Sequence, residues 1–93
     1  MNHAFSDLER FASLTEAMHR AAAAQDWDAL VTLGAERDAL RQTMPADISP
    51  HLSAPDGNRA RTIIEGCRET DAQTSALLGA RQDELRILLR EHA

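Results

Sequence analysis

The chain has no lysine and no tyrosine, and its 93 residues include one cysteine, one tryptophan and two phenylalanines. With Cys67 alone there is no intramolecular disulfide, and no histidine is spaced to complete a zinc site around it. A small apolar core residue is the expectation there. β-Branched aliphatics are as sparse: Val31 is the sole valine, and the isoleucines are Ile48, Ile63, Ile64 and Ile87. No window therefore offers the alternation that a strand needs. No apolar run approaches the roughly 20 residues that would cross a bilayer. The amino terminus also lacks the basic stretch and apolar run of a signal peptide, so a reducing cytoplasm is expected. Fifteen acidic side chains against ten arginines leave a net charge of −5. That charge repels a phosphate backbone and argues against direct nucleic-acid binding.

What is abundant is Ala, Leu, Glu, Arg and Gln, all good helix formers. A chain this short holds one domain. The fold expected over residues 1–93 is all-α, a three-helix antiparallel (up-down-up) bundle with a long third helix. The first helix is expected over 3–24, opened by Asn2 or by Ser6 with Glu9 in capping-box spacing. Its inner stripe is Leu8, Phe11, Leu14, Met18 and Ala22. Asp26 caps a second helix over 26–44, and Trp27 in its first turn is expected to anchor in the core. The inward face continues through Leu30, Leu33, Gly34, Arg37, Leu40 and Met44, with Gly34 as a place for close backbone approach. Pro45 stops that helix, and 45–57 reads as a loop. From 58 to 91 no proline interrupts. Ala60, Ile64, Cys67, Asp71, Thr74, Leu78, Arg81, Leu85 and Leu88 follow in steps of four and three, a seam that Ile63, Leu77 and Leu89 widen. Asp71 on that seam needs a cation, and Arg37 is expected to supply it and fix the register of the bundle.

The three helices do not match in length. At 1.5 Å per residue they run about 33, 28 and 50 Å, so the third must overhang. Leu78, Leu85, Leu88 and Leu89 then lack intramolecular cover, and Ile87 places an apolar group on the opposite face. Such a surface suits a protein that docks another amphipathic helix. A symmetry mate could cover the same residues, as in a homodimer built on a structural dimerisation or adaptor module.

Catalytic chemistry has little to stand on. Glu16 and His19 have Glu-x-x-His spacing, but a di-iron bundle needs a second such pair and two further glutamates. His3, His51 and His92 are not placed to help, so no metal or cofactor is expected. All-helical chorismate mutases share this length and use buried arginines. Arg37 and Arg81 fall on inward faces, yet two arginines without a lysine do not specify a dicarboxylate cavity. No catalytic residue is assigned.

The stretch Ala21 to Leu40, AAAAQDWDALVTLGAERDAL, resembles the end of helix one and the second helix of flagellar export chaperones of the FliT family. It has a small-residue run, an acidic residue before Trp27, then Asp28 and an apolar pair leading to Glu36 and Arg37. Residues 62–89, TIIEGCRETDAQTSALLGARQDELRILL, are similar to the family's third helix, with Asp71, the Leu77–Leu78 pair and an Arg-x-x-Glu-Leu ending at Arg81, Glu84 and Leu85. Thr74 and Cys67 depart from this pattern by putting little bulk in mid-helix. Many family members continue into a fourth helix that lies across the binding surface, and the sequence here ends at Ala93. The resemblance implies a chaperone that binds the helical carboxyl-terminal segment of the flagellar filament-cap protein. It also implies delivery of that client to the export ATPase and export gate. Some members bind the flagellar master transcriptional activator as well.

Overall fold

A computed structural model describes residues 4–45 and 52–91. The described residues form a helical bundle of three helices, 91% helical and without strands. These are α1 (Ala4–Ala23), α2 (Trp27–Thr43) and α3 (Ala54–Glu91). The expected start at residue 3, most of the loop, and His3, Ile48, His51 and His92 lie outside the described residues.

Two boundaries differ from the sequence expectation. Ser6 lies inside α1, since the helix already runs from Ala4, so the Ser6–Glu9 capping box is not its start. α3 begins at Ala54 rather than at residue 58. The Ser53 carbonyl accepts from the Gly57 N–H at 2.8 Å and its hydroxyl from Asp56 N–H at 3.4 Å. Pro55 sits in the first turn, where its missing N–H deprives the helix of no bond. What reads as a loop residue by composition is thus the opening turn of a helix.

The other ends follow from local chemistry. Asp26 caps α2 by accepting from Ala29 N–H at 3.2 Å. At the far end Thr43 Oγ1 donates to the Leu40 carbonyl at 2.7 Å. Met44 turns extended (φ −85°, ψ 145°), as the ring of Pro45 requires of the residue before it.

α1 packs against both α2 and α3, which approach each other far less. Along α2, Thr15 is level with Arg37, Met18 with Gly34, and Ala21 and Ala22 with Leu30. Along α3, Phe5 is level with Arg59, Thr15 with Cys67, and Ala22 with Leu77. Leu14 was expected on the core stripe, but the central position belongs to Thr15, which is 1% exposed where Leu14 is only half-buried. On α3 the buried residues are Ala60, Cys67 and Thr74, seven apart and all small, which lets α1 come close. Gly34 is not needed for close approach. A methyl there would meet Met18 Cε at 3.7 Å, an ordinary contact.

Candidate partner-docking surface

The molecule measures 57 × 21 × 21 Å, and the 38 residues of α3 account for the whole long axis at 1.5 Å each. α1 and α2 have 20 and 17 residues, about half that reach. The amino-terminal ends of α1 and α3 lie level, where the Arg59 guanidinium sits 4.7 Å over the Phe5 ring. The excess length of α3 therefore projects past the α1–α2 corner. The last partly covered residue is Arg81, and every residue from Gln82 to Glu91 is exposed. Within and just below that projection lie Leu78 (36% exposed), Leu85 (41%), Ile87 (54%), Leu88 (47%) and Leu89 (73%). Leu78, Leu85, Leu88 and Leu89 continue the stripe that lower down carries the buried Ala60, Cys67 and Thr74; Ile87 lies on the other side.

The corner under this projection is fixed by backbone hydrogen bonds. Gln25 N–H donates to the Ala22 carbonyl at 3.1 Å and Asp26 N–H to the Ala21 carbonyl at 2.9 Å. This pair of bonds is the Schellman arrangement, and it puts Gln25 at φ 59°, in the left-handed region. Asp26 closes α1 with its N–H and opens α2 with its carboxylate. Trp27 follows at once, half-buried against Ala21, Ala22 and Leu30, with the Arg81 guanidinium 5.8 Å from its ring centre. A hollow of about 110 Å³ lies between this corner and α3, walled by Ala22, Ala23, Trp27, Leu77 and Ala80 with Arg81 and Glu84 at its edge.

One polar layer crosses the middle of the bundle. Arg37 Nη1 on α2 donates to Asp71 Oδ1 on α3 at 2.7 Å and to Thr15 Oγ1 on α1 at 3.0 Å. Its guanidinium also lies 5.1 Å from the Phe11 ring centre. The Thr15 hydroxyl donates to the Phe11 carbonyl at 2.9 Å, so its buried oxygen is satisfied on both sides. Beside it, burial pushes the Cys67 thiol up, while the Thr15 hydroxyl and Arg37 act against that shift. The role of Thr15 was missed in the sequence. The signal was there in Ala4, Leu8, Phe11, Thr15, Met18 and Ala22, which alternate by four and three around the threonine.

The two inward arginines do not converge. Arg37 is committed to Asp71 and Thr15, and Arg81 lies over Trp27. Among the described residues no group of His, Cys, Asp and Glu could hold a metal, and His19 is half-buried beside an exposed Glu16. A shallow groove of about 290 Å³ runs between α1 and α3, lined by Ala12, Thr15, Glu16, Ile63, Gly66 and Cys67. No described helix is long and apolar enough to cross a membrane.

A family model described as flagellar protein FliT matches residues 5–92, nearly the whole chain. The chain belongs to the FliT family. No curated protein and no solved structure gave a match. FliT proteins are flagellar chaperones rather than enzymes, and membership points to a flagellar-associated chaperone role. In that light the projecting end of α3 and the Trp27 corner are the natural places to look for a partner.

Proposed function

We propose that this FliT-family protein is a cytoplasmic export chaperone that holds the helical carboxyl-terminal segment of the flagellar filament-cap protein on the projecting half of α3. The observation that carries it is the set Leu78, Leu85, Ile87, Leu88 and Leu89, aliphatic side chains 36–73% exposed on one helix end. Covering the four leucines, which share one face, contributes roughly 1 kcal/mol each. That is enough to add to a longer interface, and too little to hold a client irreversibly. The client is then released to the export ATPase and gate, and the bundle acts as the rigid support. The level pairings of α1 with α2 and with α3 favour an up-down-up path within a single domain. Trp27, Arg37 and Asp71 serve that scaffold.

The test is calorimetry of the full chain with a filament-cap carboxyl-terminal peptide, repeated with Leu85→Glu and Leu88→Glu. Binding by the wild type, with a loss of at least about 30-fold in either variant, is expected, since a charge in an apolar contact costs about 2 kcal/mol or more. Stability of both variants should stay within about 0.5 kcal/mol of wild type because the sites are exposed. Undiminished binding in both variants would place the client elsewhere.

A further inference from the structure

Two recesses open along the line where α1 meets α3, and the α3 residues around them share one spacing. The groove of about 290 Å³ has Ile63, Gly66, Cys67 and Thr70 on its α3 wall. The hollow of about 110 Å³ has Leu77, Ala80, Arg81 and Glu84. Each set runs i, i+3, i+4, i+7, which is the set of four residues that surrounds a knob from a facing helix in knobs-into-holes packing. From Ile63 to Leu77 is two heptads, so the recesses follow one row, about 21 Å apart along the axis and about 40° apart around it. α1 walls both, the lower through Ala12 and Glu16 and the upper through Ala22 and Ala23. At Gly66 a methyl would meet nothing within 4 Å. One heptad beyond the upper recess, Glu84, Ile87, Leu88 and Glu91 repeat the spacing on the projecting end.

The chemistry of both recesses suits an apolar knob. Thr15 and Cys67 are buried at the base of the lower one, the Thr15 oxygen is bonded on both sides, and no buried side-chain polar atom among the described residues lacks a partner. A polar guest group would find nothing there to bond. The upper recess is walled by Trp27, Leu77 and three alanines, and its volume is of the order of the cavity that one truncated aliphatic side chain leaves. Length and spacing decide what can enter. A helix seated in both recesses must bridge two heptads and add part of a turn at each end, roughly 20 residues or 30 Å. Within this sequence the residues outside the described ones are 1–3, 46–51, 92 and 93, each run far shorter. A second copy fails on spacing. The large exposed hydrophobics of the described residues are Val31 on α2 and five between Leu78 and Leu89 on α3, so no two on one helix stand two heptads apart. The leucines of the α3 end also expose only on the order of 300 Å², against about 800 Å² per partner in a specific interface.

We propose that the α1–α3 side of the bundle is the seat of a foreign amphipathic helix whose apolar side chains recur at heptad spacing, two of them entering the recesses beside Cys67 and Trp27. Past the upper recess the guest runs onto Ile87 and Leu88, so one row joins the body of the bundle to its projecting end. The guest becomes the fourth helix of a four-helix packing. The inference rests on the docking role proposed above and names the spacing that a guest must carry, whichever protein supplies it.

The test plugs each recess from within. Gly66→Leu and Ala80→Leu place a leucine at the lower and upper recess from exposed positions, and Ala72→Leu places one on the far side of α3 as a control. The probe is a synthetic helix of about 25 residues without tryptophan, its leucines at heptad spacing, compared with a peptide of the same composition in which the leucines are scrambled. Calorimetry gives the affinity, and the emission of Trp27, the single tryptophan, reports on the upper recess. Wild type should bind the heptad peptide with a blue shift of that emission, and each plug should weaken binding at least about tenfold. Ala72→Leu should bind as wild type does. Gly66→Leu should resist urea at least as well as wild type, because it replaces a helical glycine that faces open space. Undiminished binding in both plugs overturns the proposal, as does equal weakening by Ala72→Leu or equal binding of the scrambled peptide. A wild-type dimer in sedimentation that both plugs dissociate makes the occupant a second copy and overturns it too. Plugs that weaken the heptad peptide while the filament-cap peptide fails to bind refute the choice of client and leave the seat standing. Filament-cap binding that Leu85→Glu abolishes and neither plug affects leaves the docking role standing and refutes the seat.

Discussion

Removing the Asp71 carboxylate is the sharpest probe of the polar layer. Asp71→Ala deletes the acceptor 2.7 Å from Arg37 Nη1. Two limits frame the effect. An exposed pair contributes about 0–1 kcal/mol, and breaking a fully buried one costs about 3–5 kcal/mol. This pair lies between, with side-chain exposures of 19% for Arg37 and 42% for Asp71. Water can reach the aspartate, whereas the guanidinium stays covered by Phe11 and holds Thr15. One hydrogen bond between charged groups in such a setting is worth about 1.5–2 kcal/mol. For a domain of this size that lowers the melting temperature by about 10 °C. The assay is urea unfolding followed by far-ultraviolet circular dichroism on wild type, Asp71→Ala, Arg37→Ala and the double variant. Closing the cycle should give a coupling of about 1–2 kcal/mol between the two sites. A coupling below about 0.3 kcal/mol, within the scatter of additive sites, would refute the tie across α2 and α3.

Gly34→Ala should stabilise the bundle by about 1 kcal/mol, read as a higher urea midpoint, because the added methyl meets only Met18 Cε at 3.7 Å. Gln25→Gly should also stabilise it, by about 1 kcal/mol, by relieving a side chain held at φ 59°; an unchanged midpoint would remove strain from the account of the corner. Burial raises the Cys67 thiol above its ordinary 9.0, so the native chain should react slowly with a disulfide reagent at neutral pH and rapidly once unfolded. The sign for stability follows. Above the ordinary value the unfolded chain loses a proton that the folded chain keeps, so stability falls as pH rises through that range, and Cys67→Ala should flatten the fall in urea midpoint.

Helical periodicity made the helices, the inward placing of Arg37 and Asp71, and the overhang legible in the sequence, because each depends only on spacing along a helix. Thr15 escaped because a polar residue does not register on an apolar stripe, although its hydroxyl bonds back to Phe11 and so behaves as a small packed group. Residues Ala54 to Gly57 escaped for the opposite reason. Proline and glycine read as loop by composition, and only the bonds to Ser53 reveal a first helical turn.

The corner at Gln25 has a mechanical consequence. Between Ala23 and Trp27 only Ala24, Gln25 and Asp26 intervene, and the backbone N–H of each is already spent on a carbonyl of α1. No slack is left to change the angle between α1 and α2, so these two helices form a stiff frame. α3 has no such bond to either neighbour's backbone among the described residues, and it meets α2 through side chains alone, the Arg37–Asp71 ion pair and Arg81 over Trp27. In the docking role proposed above, any adjustment to the girth of a guest helix therefore falls on α3, whose residues from Gln82 to Glu91 are exposed.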